Sequence, residues 1–188
     1  MTPSGLAASR LLQREDAVLV VIDVQERLLP HVVGGGEVVA NIVKLLRFAE
    51  IVGLPVVLTE QLKLGPTVDE IKRELPSTTP VVKTEFGCLA CEGFAEVLGG
   101  SGRKVLVLVG LEAHICVAQT ALQAISEYGV QVVGDAVSSR SLADKETALR
   151  RMVQSGVIVT TAEMLMYEIL ARAGTDEFRA VLELVKAG

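Results

Sequence analysis

The chain predicts a three-layer α-β-α domain built on a six-stranded, all-parallel sheet of Rossmann-like order. Three observations carry that expectation. Short apolar runs alternate with stretches of helical periodicity along the whole chain, which is the pattern of successive βαβ units. The runs are near-continuous in Val, Leu and Ile, as parallel strands buried on both faces require. The 188 residues are half apolar, with 3% aromatics and no Trp, so one sizeable core can form, made of aliphatic side chains. The expected organisation is a single domain over 1–188, with 1–15 as an N-terminal extension.

Residues 17–22 are uninterrupted apolar and predict the first strand, which ends at Asp23. Apolar spacing predicts a helix over 37–52, stopped by Gly53. A strand over 55–58 leads to Thr59 and Glu60. A short helix is expected over 67–75, a strand over 80–82 ending at Lys83, and a helix over 91–98 closed by Gly99 and Gly100. Residues 104–109 give the strongest strand signal, followed by a helix over 115–128 that Gly129 closes. A strand over 130–133 ends at Gly134 and Asp135, a helix covers 143–155, and 157–159 is the last strand. Helices over 162–173 and 176–186 complete the series. The first of these carries Met164, Leu165, Met166 and Tyr167 in a row, so it is apolar around most of its circumference. Such a helix is deeply buried or packed on another subunit, and a homo-oligomer, a dimer or larger, is expected.

Six strands of this kind commonly take the order 3-2-1-4-5-6. The first and fourth strands are then neighbours, and ligands bind beyond their carboxyl ends, where the connections reverse direction. Asp23 lies at the end of the first strand, Lys83 at the end of the third, and Cys116 in the loop beyond the fourth. Topology thus gathers an acid, an amine and a thiol on one rim. A thiol at the start of a helix meets the positive end of the macrodipole and unpaired N–H groups, which favour the nucleophilic thiolate. Asp23 can take the thiol proton, Lys83 can hold the charge balance, and the N–H groups of Glu112 and Cys116 can hold an oxyanion. These parts suit thiolate attack on a carbonyl, a covalent thioester and hydrolysis. Each residue also has a plainer reading: a buried cysteine packs as a small hydrophobe, an aspartate caps a turn, a lysine at a strand end is solvated. His114 is two residues from Cys116 and does not face it on a helix.

The net charge of −5, with acidic and basic residues interspersed, points away from nucleic acid and from anionic membrane surfaces. No apolar run is long enough to span a bilayer. Residues 1–16 carry charges and lack a long apolar segment, so no secretory signal is expected. Three cysteines, an odd number, fit reduced thiols in the cytoplasm.

The blocks Val20 to Gln25, Lys83 to Phe86 and Gly110 to Val117 resemble the isochorismatase-like cysteine hydrolases, in the same order and spacing. Thr59, Glu60 and Gln61, followed by Leu64 to Thr67, resemble the branch typified by isochorismatase domain-containing proteins. The resemblance implies a catalytic Asp23, Lys83 and Cys116 and a cofactor-independent hydrolase for a small amide or related carbonyl substrate. It also implies a cis peptide between Leu111 and Glu112 that aims the N–H groups of Glu112 and Cys116 at the oxyanion. It further implies that Phe86 packs over the substrate and that Gln25 lines the pocket. Glu60 and His114 complete the candidate pocket set. The stretch after the second strand, Glu60 to Pro66, contains no histidine, so the metal of the nicotinamidase branch is not expected. Cys116 sets the chain apart from the vinyl-ether-cleaving isochorismatases of siderophore pathways, which lack that cysteine. Alternatives remain a non-catalytic binding or scaffold protein on the same fold, and a redox or zinc site using Cys88 and Cys91 with His114 and Cys116.

Overall fold

The computed structural model of the chain describes residues 11–186. Residues 1–10, which hold most of the expected N-terminal extension and of the stretch read as lacking a secretory signal, lie outside the described residues, as do 187–188. Six strands form one parallel sheet in the order β3-β2-β1-β4-β5-β6. They are β1 (Ala17–Ile22), β2 (Val56–Gln61), β3 (Val81–Lys83), β4 (Val105–Leu111), β5 (Gly129–Ser138) and β6 (Ile158–Thr160). The helices are α1 (Gly35–Val52), α2 (Asp69–Glu74), α3 (Glu92–Ser101), α4 (Ala118–Ala124), α5 (Leu142–Gln154), α6 (Ala162–Leu170) and α7 (Asp176–Lys186).

Alternation along β1 explains the layers, because successive side chains point to opposite faces of the sheet. Leu19 and Val21 join a core with Ile42, Leu45 and Phe48 of α1 and Leu165 and Ile169 of α6. Val18, Val20 and Ile22 join a second core with Phe94 and Leu98 of α3, Ala121 of α4 and Met152 of α5. Every β1 residue is buried, which is why the strand reads as continuously apolar.

The fold differs from the sequence expectation in several places: β2 runs on to Gln61, and the helix expected over 162–173 ends at Leu170. Helix α3 runs through Gly99 and Gly100 and stops at Gly102, whose φ of 66° supplies the left-handed cap. Strand β5 does not end at Gly134: it continues to Ser138, with its register against β4 shifting between Leu108 and Gly110. The stretch after β4 is not one helix. A single wide turn, Ala113–Val117, precedes the short α4.

Strands β1 and β4 are neighbours, and Ile22 pairs with Gly110 at their carboxyl ends. A Cβ on Gly110 would stand 2.1 Å from the Ile22 carbonyl oxygen, and its φ is 133°. Only glycine lets the two strand ends come this close.

Candidate active site

Asp23 follows the last residue of β1 with φ 53°, in the left-handed region that few non-glycine residues enter. Its side chain and that of Lys83 have no solvent exposure, and Lys83 Nζ lies 2.6 Å from Asp23 Oδ2. The Thr59 hydroxyl donates to Asp23 Oδ1 at 2.7 Å. Lys83 Nζ also donates to Gln61 Oε1 at 2.7 Å and lies 3.2 Å and 3.4 Å from the Glu85 and Phe86 carbonyl oxygens. Both charges are therefore paired and hydrogen-bonded, the condition for burying them. Burial works against the Lys83 charge, but the attraction of Asp23 wins and holds the ammonium above its ordinary pKa.

Cys116 is buried in the wide turn before α4. Its surroundings work against the thiolate that a helix start would favour. Burial pushes the thiol far above its usual range, the neighbouring Asp23 charge pushes further, and Lys83 only partly opposes them. The physical reason is local: Cys116 is buried in the turn just ahead of the α4 N-cap Val117, and an anion is its neighbour. The turn has five-residue hydrogen-bond spacing, a form often found at functional sites.

The expected cis bond between Leu111 and Glu112 is also corrected. Among the described residues all peptide bonds are trans. The chain reverses instead through Glu112 itself, at φ 56° and ψ 58°. Its carboxylate is held by Arg140, with Nε to Oε1 at 2.7 Å and Nη2 to Oε2 at 3.1 Å.

The remaining predicted residues separate. Gln25 does not offer its amide to a pocket: Nε2 donates to the Gln61 and Gly65 carbonyls at 3.0 and 2.5 Å, and Oε1 accepts from the Gln61 N–H at 2.8 Å. It is a buried clip between the ends of β1 and β2. Glu60 Oε1 accepts from the N–H and hydroxyl of Thr67, both at 2.7 Å, and so fastens the same loop. Phe86 is on the rim, 54% exposed. His114 Nδ1 lies 3.0 Å from the Ser139 hydroxyl. Its ring borders a cleft of about 300 Å³ with Ala118, Gln119, Leu122, Gln123 and Arg151. None of Asp23, Lys83 and Cys116 lines that cleft, so it lies apart from the cluster.

Cys88 is buried beside the cluster, and its N–H donates to Thr120 Oγ1, whose hydroxyl donates to the Cys116 carbonyl. Burial pushes the Cys88 thiol up to about 11. The four candidate zinc ligands do not converge: among the described residues no three His, Cys, Asp or Glu side chains are grouped to hold a metal. Sequence reasoning noted Thr59 and Gln61 only as part of a family block, not as partners of Asp23 and Lys83, and missed Arg140. Thr59 and Gln61 follow the second apolar run, a positional hint. Arg140 carried no signal, being joined to Glu112 only by the fold.

The isochorismatase domain family matches residues 17–164. The chain belongs to that family. Within the isochorismatase family it is 35% identical to isochorismatase domain-containing protein 1 of Danio rerio over 174 residues, 90% of this chain and 61% of that protein. The chain thus spans about three fifths of that relative's length. The structure of the MAR1 ribonuclease from Caenorhabditis elegans superposes with a TM-score of 0.87 at 31% identity, covering 94% of this chain and 93% of that one. The YcaC gene product of Escherichia coli, an octameric hydrolase of unknown specificity, superposes with a TM-score of 0.84 at 26% identity, covering 94% and 87%. What the comparisons share with this chain is the isochorismatase family and the six-stranded parallel sheet.

Proposed function

We propose that the protein is a cysteine hydrolase that cleaves a small amide or related C–N carbonyl compound through a thioester on Cys116. The observation that supports the reading is the buried 2.6 Å Lys83–Asp23 pair beside the Cys116 thiol. Desolvation offsets much of the attraction in a buried ion pair, so stability is weak grounds for keeping one.

The cluster as folded is a carboxylate, an ammonium and a neutral thiol. Moving the thiol proton to Asp23 gives a carboxylic acid, an ammonium and a thiolate. The net charge of the cluster is zero before and after, so the transfer creates no unbalanced charge in a buried site. Substrate binding completes the step by setting a carbonyl carbon against the sulfur. The S–C bond forms, the carbonyl electrons move to oxygen, and the N–H groups of Glu112 and Cys116 donate to that oxyanion. The C–N bond breaks as Asp23 returns its proton to the leaving nitrogen. Water then gives a proton to Asp23 and hydroxide to the thioester, the C–S bond breaks, and Asp23 passes that proton to the departing sulfur, releasing a carboxylic acid and restoring the thiol and the carboxylate. Lys83 stays charged and orients Asp23 throughout. No step needs a metal or cofactor. Phe86, exposed on the rim, would close over the substrate.

Cys88, Cys91 and Cys116 are free thiols, which fits the proposed cytoplasmic location. Among the described residues no helix is long and apolar enough to cross a membrane. The name of the nematode relative raises RNA as a rival substrate. A net charge of −5 disfavours it, because phosphate neutralisation supplies most nucleic-acid affinity.

The test is a screen of small amides and ureas, with an RNA arm, on wild type and Cys116→Ala. Release of ammonia or amine by wild type and not by Cys116→Ala supports the reading. RNA cleavage that survives Cys116→Ala overturns it.

A further inference from the structure

The turn that carries the proposed oxyanion donors is gripped from one side by three consecutive residues. Leu111 pairs with Ser138 at the end of β5. Glu112 is held bidentately by Arg140. His114 meets the Ser139 hydroxyl at 3.0 Å. Residues 138–140 are themselves anchored: Ser138 Oγ donates to the Val33 carbonyl at 2.5 Å, and the Val33 N–H donates to the Ser139 carbonyl at 2.9 Å.

Glu112 needs such a grip. A non-glycine residue at φ 56° is disfavoured against the ordinary negative-φ regions, so the turn through Glu112 is held by its partners. Its carboxylate is 7% exposed, while the Arg140 side chain is 61% exposed. An ion pair with so exposed a partner adds little to global stability. What it supplies is geometry, because two parallel N–H···O bonds fix a carboxylate plane as a single ammonium cannot.

We propose that Arg140 is a positioning residue, acting through Glu112 to hold the turn whose N–H groups receive the oxyanion. The inference rests on the hydrolase reading above. It separates two reactions at one sulfur. Acylation passes through an oxyanion and needs the donors. Alkylation by iodoacetamide forms an S–C bond as iodide leaves and needs only the thiolate. Burial, Asp23, Lys83 and Cys88 are what chiefly shift the Cys116 thiol, and the Arg140 charge is already paired with Glu112. Alkylation should therefore be indifferent to it.

The experiment uses p-nitrophenyl acetate, which transfers its acetyl group to sulfur and releases p-nitrophenolate, and in parallel iodoacetamide. Both act on the full chain as wild type, Arg140→Lys, Arg140→Met and Glu112→Gln, each checked for folding by circular dichroism. In each variant the acylation rate should fall about 10- to 100-fold while alkylation stays within about threefold of wild type, as expected when an oxyanion donor is displaced. Lysine should not rescue the loss. Glu112→Gln combined with Arg140→Met should be no slower than the worse single variant, since the two act as one unit. Unchanged acylation in Arg140→Met and Arg140→Lys overturns the proposal. So does an equal fall in both reactions, which would mark a general loss of thiol reactivity. A wild-type protein that resists acylation altogether overturns the hydrolase reading, and this inference with it.

Discussion

Asp23 acts on Cys116 in two opposed ways. Its charge raises the thiol above its ordinary range, yet the proposed reaction needs its carboxylate to accept the proton. The two effects separate in Asp23→Asn. Removing the charge should make the thiol more acidic, so iodoacetamide should react faster at neutral pH, measured as alkylation rate against pH. Amide turnover should fall about 100-fold or more, the contribution of a general base. Slower alkylation, or turnover near wild type, contradicts this account. Lys83 tests the pair itself. Lys83→Met leaves Asp23 buried without its cation, and urea unfolding should report a loss of about 3–5 kcal/mol. The pH sign follows from the raised Lys83 value. The stabilisation is complete below the ordinary lysine pKa of 10.5 and fades as pH climbs through the higher folded value. The variant should lack that alkaline loss. The placement of Asp23, Lys83 and Cys116 on one rim was legible in the sequence because each lies at or beyond the carboxyl end of a strand. Thr59, Gln61 and Arg140 act through side-chain bonds spanning 36, 22 and 28 positions, and no local pattern records such distances.

Strands β1 and β4 end alike: each is followed at once by a non-glycine residue in the left-handed region, Asp23 and Glu112. Strain of this kind costs roughly 1–3 kcal/mol per residue and gathers at functional sites. At one end it presents the candidate base, at the other the candidate oxyanion donor. Gly110 permits their approach. Gly110→Ala would set a methyl group 2.1 Å from the Ile22 carbonyl oxygen. Thermal unfolding should show a destabilisation of about 3 kcal/mol or more, a backbone clash added to strain at positive φ. A melting temperature equal to wild type would mean that the strand ends are free to part. Periodicity located β4 and the helical stretch after it, but not the wide turn at Ala113–Val117. Apolar spacing reports which residues are buried. Which carbonyl each N–H chooses is set by tertiary contact. The same limit explains β5, whose ladder resumes beyond Gly134 because Leu111 pairs with Ser138.

At the scale of the molecule, the strand order was readable because all-parallel sheets with short crossovers admit few topologies. That order alone brings the ends of β1 and β4 together. The expected burial of the apolar helix near the C-terminus is half realised: Leu165 and Met166 are buried, whereas Met164 is 60% exposed. With Leu142 and Val153 also exposed, the proposal of a homo-oligomer predicts a particle of at least twice the monomer mass in sedimentation velocity. A monomer at micromolar concentration contradicts it. The central claim concerns Cys116, and mass spectrometry reaches it most directly. After incubation with a reactive small amide or ester, the intact protein should gain one acyl group, and peptide mapping should place it on Cys116. Cys116→Ala should gain none and be inactive. Acylation of Cys88 instead, with Cys116→Ala still active, would contradict the account.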